Sequence, residues 1–277
     1  MKRNVKKQYR ICLAQTVSNN DGKEFNLARA GAIVEQAAAG GASLVVFPEL
    51  YITGYDSGER VRTLCEDADG PSEKRMAELA SRYGVHIIYG YPEKADEAAS
   101  DHACVYNSAN LIDDNGALKG TYRKSHLFLD EAAVFTPGGE LPVFETELGR
   151  MGLLICYDIE FPEPARRLAL KGADIIVCIS ANMAPYYELH SRFSFVRAVE
   201  NSLPVAYCNY TGVDGRFEYV GRTGLYMPDT DLFCAASAIE FGSGENAEGL
   251  IFADVDLTRK GGGPFDYLSQ LDPDEIR

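Results

Sequence analysis

The sequence has no tryptophan and only four histidines, at 86, 102, 126 and 190. No C-x-x-C pair occurs among its seven cysteines, at 12, 65, 104, 156, 178, 208 and 234. An odd cysteine count with scattered histidines offers neither zinc-ligand spacing nor a disulfide framework, and predicts reduced thiols in a cytoplasmic protein with no metal. Basic residues are short: 27 Lys and Arg stand against 41 Asp and Glu, for a formal charge of −14. Such a chain repels phosphate backbones and anionic lipid, so nucleic acid and membrane are not expected partners. No apolar run reaches membrane-spanning length. Met1–Lys7 is basic, but the apolar stretch Ile11–Val17 is broken by Gln15 and followed by Asn19-Asn20, too short for a signal peptide.

What is present is a chain of 277 residues, 46% hydrophobic, sufficient for a full core. Tyr9–Val17 predicts a strand, Asn26–Ala39 a helix with apolar residues at helical spacing, and Ser43–Phe47 a fully apolar strand running into Pro48-Glu49. Strand, helix and strand within about forty residues are the pattern of a parallel crossover unit. The order recurs: strand Met151–Ile155, helix Pro164–Lys171, strand Asp174–Ile179. The second strands echo each other, G-A-S-L-V-V-F-P-E from Gly41 and G-A-D-I-I-V-C-I-S from Gly172, which aligns Glu49 with Ser180. Two such units suggest sheet on sheet with helices outside, although a short echo can also arise by convergence. Between them lie a helix at Pro71–Tyr83, a strand at Val85–Tyr91, a charged loop at Glu93–Asp101, and a hairpin of Val105–Leu111 and Leu118–Tyr122 about the turn D-D-N-G. Leu127–Pro142 is long and irregular. Later come a helix at Ser191–Asn201 with Phe195, Val196 and Val199 inward, and strands at Pro204–Tyr210, Gly224–Met227 and Leu250–Val255. Phe241–Gly249 is a surface loop and Phe265–Arg277 a tail whose Tyr267 and Leu268 dock on a neighbouring surface. No linker divides the chain, so residues 1–277 read as a single domain, with a core over about 9–257.

Cys156 falls in the tight turn between a buried strand and a helix opened by Pro162 and Pro164. A thiol beside a helix N-terminus has its thiolate stabilised by backbone N–H groups, as a nucleophile requires; a buried cysteine closing a strand is the plainer reading. Glu49 emerges at the carboxyl end of an apolar strand, where α/β sheets carry their sites. Lys124 lies in Y-R-K-S-H-L, and Glu131 follows seven residues later. Alone, each suits a solvated surface. Together they supply what an amide carbonyl needs: a nucleophile in Cys156, a proton carrier in Glu49, and oxyanion donors in Lys124 and the Tyr157 backbone N–H. Glu131 orients the lysine. The competing arrangement is a cysteine–histidine pair, for which only His126 is well set.

F-P-E-L-Y-I-T-G-Y, Y-R-K-S-H-L-F with Glu131 beyond it, and C-Y-D-I-E-F-P-E together resemble the nitrilase superfamily of carbon–nitrogen hydrolases. Glu49, Lys124 and Cys156 follow in order, 75 and 32 residues apart, and the resemblance runs from about Arg10 to about Leu268. It implies an α/β fold, a four-layer αββα sandwich of two mixed sheets packed face to face with helices outside. It also implies a Glu–Lys–Cys triad: Glu49 as general base, Lys124 as transition-state stabiliser and Cys156 as nucleophile, with Glu131 as second glutamate. The family uses no cofactor or metal and forms homodimers or larger homo-oligomers.

C-Y-D-I-E-F-P-E, S-A-N-M-A-P-Y and V-A-Y-C-N-Y look most like the aliphatic amidase branch, acting on small amides including ω-amino amides such as 5-aminopentanamide. Asn182, Tyr186 and Tyr187 follow a strand end and are candidates to line the pocket. Glu160 either meets a substrate amine or caps the helix behind it. N-carbamoyl compounds are the alternative substrates and nitriles a third. A catalytically silent binding or scaffold domain is the non-enzymatic reading, against which the intact set of four residues stands.

Overall fold

The computed structural model describes residues 5–95, 104–228, 236–240, 247–259 and 267–271. The first half of the chain runs β1 (Gln8–Gln15), α1 (Lys23–Ala39), β2 (Leu44–Val46), α2 (Val61–Leu64), α3 (Pro71–Tyr83), β3 (His86–Ala95), β4 (Cys104–Ile112) and β5 (Leu118–Arg123). The second half runs β6 (Val143–Thr146), β7 (Gly149–Ile155), α4 (Pro162–Leu170), β8 (Ile175–Ser180), α5 (Leu189–Asn201), β9 (Val205–Asn209), β10 (Thr211–Asp214), β11 (Phe217–Val220), β12 (Gly224–Pro228), β13 (Ala236–Glu240) and β14 (Gly249–Asp256).

Side-chain alternation explains the layers. Along β1, Ile11 and Leu13 point to one side, and Cys12 and Ala14 to the other; along β2, Leu44 and Val46 oppose Val45. A strand buried on both faces reads as a continuous apolar run, which is why these segments lack polar alternation. The inner faces meet the second sheet, whose Leu153, Ile155, Ile175 and Val177 join the same cluster. The outer face of the first sheet is covered by α1 and α3, through Leu27, Val34, Met76 and Leu79. α4 and α5 pack on β7 and on β9 and β12. The result is the expected four-layer αββα sandwich.

The first sheet has the order β14-β1-β2-β3-β4-β5 and the second β13-β12-β9-β8-β7-β6. In each, three central strands are parallel (β1, β2, β3 and β7, β8, β9), with antiparallel strands outside. Read from opposite ends, the two sheets have the same plan. β2 and β8, which carry the sequence echo, hold equivalent places, so Glu49 and Ser180 leave equivalent strand ends.

Four expectations are corrected. β3 continues through Glu93, Lys94 and Ala95, where a charged loop was expected. Glu93 is buried: its carboxylate accepts from Ser108 Oγ at 2.7 Å and from Arg123 Nε and Nη2 at 2.9 and 2.6 Å, so its charge is compensated inside. On α5, Phe195 and Val196 face outward, 37% and 42% exposed. The inward face is polar instead, because Arg197 donates to the carbonyls of Ile159 and Glu160 at 3.1 and 2.7 Å and ties the helix to the turn after β7. α4 begins at Pro162, two residues early. β6, β10 and β11 are strands where none was expected. Leu268 packs partly buried against the inner core and Tyr267 is exposed. The rest of the tail, the segment 96–103 and most of the loop at Phe241–Gly249 lie outside the described residues. Among the described residues, no helix is long and apolar enough to cross a membrane.

Gly90 on β3 sets how close the first sheet comes to Glu49. A Cβ there would lie 2.8 Å from the Glu49 Cα and carbonyl carbon. Backbone cannot yield as a side chain can, so Gly90→Ala is expected to cost about 1–3 kcal/mol of stability and to lower kcat by displacing Glu49. Thermal unfolding and turnover measured together check this; a variant with unchanged Tm and kcat refutes it.

Candidate active site

Each polar residue singled out in the sequence stands where a regular element stops. Glu49 follows β2 after Pro48, Lys124 follows β5 directly, Glu131 lies in a single 3-10 turn (Leu129–Ala133), and Cys156 is the first residue past β7. Cys156 opens a second 3-10 turn, Cys156–Glu160, ahead of α4. Its own φ is +50°, and Leu50 (+50°) and Leu129 (+44°) are likewise left-handed. The left-handed region costs a non-glycine residue roughly 1–2 kcal/mol. Three such residues flanking or forming one site show backbone held in place by its surroundings.

The charged groups converge. Lys124 Nζ donates to Glu49 Oε1 at 2.7 Å and to Glu131 Oε1 at 2.9 Å. Asn107 Nδ2 donates to the same Glu49 oxygen at 2.7 Å. Glu131 also accepts from the Tyr55 hydroxyl at 2.8 Å and from the Phe128 backbone N–H at 2.7 Å. Glu49 Oε2 is buried and has no hydrogen-bond partner. Glu49, Lys124, Glu131 and Cys156 are all buried.

Burial opposes the Lys124 charge, but Glu131 and Glu49 outweigh it and hold the ammonium well above the ordinary amine range. Burial lifts the Glu49 carboxyl above its usual value and Glu131 adds to the rise, against the pull of Lys124. Burial also pushes the Cys156 thiol up, with Glu49 reinforcing it, while Lys124 and a hydrogen bond from Ser180 draw it down. Burial and the neighbouring carboxylate thus favour the thiol over the thiolate. They act against the helix-end stabilisation expected from the sequence, to which one short turn contributes little. An uncharged thiol beside a basic carboxylate loses its proton only as it attacks.

His126 does not pair with the sulfur. Its Nδ1 and backbone N–H both lie 2.9 Å from Asp158 Oδ1, and its ring stacks on Phe161 at 4.0 Å. Asp158 Oδ2 accepts from the Tyr122 hydroxyl at 2.7 Å and from the Ile155 N–H at 3.1 Å, which fixes the turn that presents Cys156. Glu160 faces His190, Oε1 to Nε2 at 3.0 Å, and His190 Nδ1 is 3.2 Å from Ser180 Oγ.

A cleft of about 570 Å³ opens beside Glu131, with Tyr55, Phe128, Met183, Tyr186 and Phe217 in its wall and Asp56, Glu59, Asp130 and Arg216 also lining it. Of the candidate pocket residues, Tyr186 lines this cleft. Asn182 and Glu160 do not: the Asn182 side chain donates to the Tyr186 carbonyl at 3.3 Å and its carbonyl accepts from Asn209. Tyr187 is exposed. Asn107, Tyr55, Ser180 and His190 belong to the site but were not singled out as site residues. Only the alignment of Ser180 with Glu49 hinted at any of them.

A model of the carbon–nitrogen hydrolase family matches residues 10–261. An (R)-stereoselective amidase of Pseudomonas sp is 32% identical over 261 residues, covering 94% of this chain and 90% of that protein. A 2-oxoglutaramate amidase of Bacillus subtilis is 30% identical over 248 residues, covering 89% and 90%. Among solved structures, a cysteine-to-alanine variant of the amidase from Nesterenkonia sp. AN1, in complex with butyramide, superposes with a TM-score of 0.81 at 25% identity, covering 96% of this chain and 95% of that one. A glutamate-to-glutamine variant of the same amidase carries acrylamide added at its active-site cysteine; its TM-score is 0.80 at 26% identity, with 97% and 98% covered.

The pull of Ser180 on the Cys156 thiol makes a prediction. Ser180→Ala removes a donor that favours the thiolate, so alkylation of Cys156 by iodoacetamide should slow about three- to tenfold, the worth of one net hydrogen bond. Peptide mapping of the labelled chain at fixed pH measures it, and an unchanged rate at Cys156 counts against the assignment.

Proposed function

The chain belongs to the carbon–nitrogen hydrolase family, and on that premise we propose that it is an amidase releasing ammonia from small aliphatic amides, ω-amino amides such as 5-aminopentanamide among them. The observation that carries this reading is the buried array of Glu49, Lys124 and Glu131, electrostatically coupled to the Cys156 thiol, with a cleft beside Glu131. In the proposed reaction, Cys156 Sγ attacks the amide carbonyl carbon while its proton passes to Glu49, whose Oε2 has no other partner. Lys124 Nζ and the Tyr157 backbone N–H stabilise the oxyanion. Glu49 then gives the proton to the departing nitrogen, the C–N bond breaks, and ammonia leaves a thioester. Water attacks the thioester with Glu49 again as base, the C–S bond breaks, and the thiol is restored. Glu131 keeps Lys124 in position and charged. Because both sheets contribute, we take the whole chain as one catalytic domain.

The cleft supports the substrate class. An apolar wall of Phe128, Met183, Tyr186 and Phe217 suits a short methylene chain. Around it, Asp56, Glu59 and Asp130 outnumber Arg216, which already pairs with Asp56 at 3.1 Å and Asp130 at 3.5 Å. Glu59 in turn pairs with Arg62 at 3.1 Å, so three carboxylates share two guanidinium groups, and the net negative charge that remains favours a substrate ending in an amine. Glu160, first considered for that role, is taken up by His190.

Two further parts of the proposal rest on the surface and the thiols. Phe195 and Val196 of α5 and Leu170 of α4 are exposed on the outer helical layers, and a second copy of the chain would cover them in a homodimer or larger homo-oligomer. Sedimentation equilibrium should then give at least twice 30.4 kDa; a stable monomer at micromolar concentration excludes it. The six described cysteines are free, which suits the reducing cytoplasm that a thiol nucleophile needs.

Ammonia release from 5-aminopentanamide, butyramide, ureido acids and aliphatic nitriles tests the substrate reading. Turnover of the amides is expected, and strong turnover of ureido acids with inert amides would overturn it. Cys156→Ala should abolish turnover, and Glu49→Gln should lower kcat roughly 10²–10⁴-fold, the usual worth of a general base. Since burial raises the Glu49 carboxyl, the acid limb of kcat/KM should lie above the ordinary glutamate range. The same shift sets the sign for stability. A carboxyl raised in the folded state binds its proton more tightly there, so the native state loses stability as pH rises through that window. Glu49→Gln also removes one of the two carboxylates that compensate Lys124, so the linkage is read from the slope: as pH rises above the ordinary glutamate range, the wild-type unfolding temperature should fall relative to that of Glu49→Gln. Full activity in Glu49→Gln contradicts the mechanism.

A further inference from the structure

We propose that His86, Asp114 and Glu147 form a binding site for a divalent first-row metal ion at the end of the sandwich opposite Cys156. One nitrogen of His86 and one oxygen from each carboxylate lie within 4.8 Å of one another. The three residues come from separate elements: His86 opens β3, Asp114 is in the turn between β4 and β5, and Glu147 is in the turn between β6 and β7. Those turns lie at the amino ends of the parallel strands, whereas Glu49 and Cys156 lie past carboxyl ends. The seven residues of β7 alone separate the two ends by roughly 20 Å.

The imidazole carries the argument. His86 is buried, and its Nε2 has no hydrogen-bond partner. The nearest carboxylate oxygen, Glu147 Oε2, is 3.7 Å away, beyond hydrogen-bond reach. The backbone N–H of His86 donates to the Ser43 carbonyl at 2.9 Å and holds the start of β3 in place. A buried imidazole nitrogen that faces two carboxylates without a hydrogen bond is a polar atom that a metal ion among the three groups would satisfy. Among the described residues, no lysine or arginine pairs with Asp114 or Glu147; the neighbouring Lys119 is 3.8 Å from Asp113 instead. One imidazole with two carboxylates suits zinc or manganese better than calcium or magnesium, which take all-oxygen shells. Ligand bonds of roughly 2.0–2.2 Å require the three groups to close slightly. The half-exposed Glu147 side chain is free to do so.

An ion there would join the first sheet, through His86 and Asp114, to the second, through Glu147. The test uses the full chain, treated with EDTA and freed of it by gel filtration, with Mn²⁺ as the probe because thiolates bind it poorly. Mn²⁺ titration followed by electron paramagnetic resonance should show one site per chain, and thermal unfolding should move upward with Mn²⁺. Asp114→Asn and Glu147→Gln should each weaken binding at least about tenfold, with amidase turnover unchanged. His86→Gln should abolish binding, and if it fails to fold the two surface variants still decide. Absence of binding below about 1 mM, or binding that survives the double variant Asp114→Asn, Glu147→Gln, overturns the proposal.

Discussion

A lysine ammonium with no access to water needs opposite charge at contact distance, and that requirement organises this molecule. Lys124 is 1% exposed, and its compensation comes from Glu49 on one side and Glu131 on the other. Breaking such a pair strands a buried charge and is more costly than never having built it. The backbone is shaped to prevent that. Left-handed residues follow Glu49 and precede Glu131, Asn107 adds a second donor to one oxygen of the Glu49 carboxylate, and Tyr55 with the Phe128 amide adds donors to Glu131. Burial and a field of two anions against one cation favour the protonated sulfur.

The repeated strand plan distributes the labour. Equivalent strand ends carry Glu49 in one sheet and Ser180 in the other, and both influence Cys156. One half of the chain supplies the three charged groups, and the other supplies the nucleophile and the hydrogen-bonded residues behind it. The halves share a topology but not a chemistry, so the echo between Gly41–Glu49 and Gly172–Ser180 survives mainly at apolar strand positions.

Much of this was legible in the residues. Apolar runs ending in proline or glycine marked β2 and β7, and the periodicity of Pro71–Tyr83 marked α3 with its observed bounds. Glu49, Lys124, Glu131 and Cys156 were identifiable because each follows a strand or lies in a polar motif, and the order of those motifs is specific. What was not legible depends on contacts across the fold. Phe195 and Val196 look like core by hydrophobicity, but α5 turns its polar face inward to satisfy Arg197 and His190. Glu93 looks like loop by charge, but Arg123 receives it in the interior. Glu160 and Asn182 look available for substrate, yet both are engaged by residues far along the chain. Pairings of this kind leave no local pattern.

The base hangs from one sheet and the sulfur from the other, with no covalent tie between them near the site. Their alignment is kept by the interdigitated aliphatic side chains of the interior, together with the hydrogen bonds from Tyr122 and His126 to Asp158. A close-packed interior transmits strain rather than absorbing it, and displacements of an ångström are enough to spoil a reacting geometry. Trimming a methyl group between the sheets, for instance at Ile88 or Leu153, should therefore register first as sluggish chemistry in a protein that still melts cooperatively. In this fold, the hydrophobic seam works as part of the catalyst.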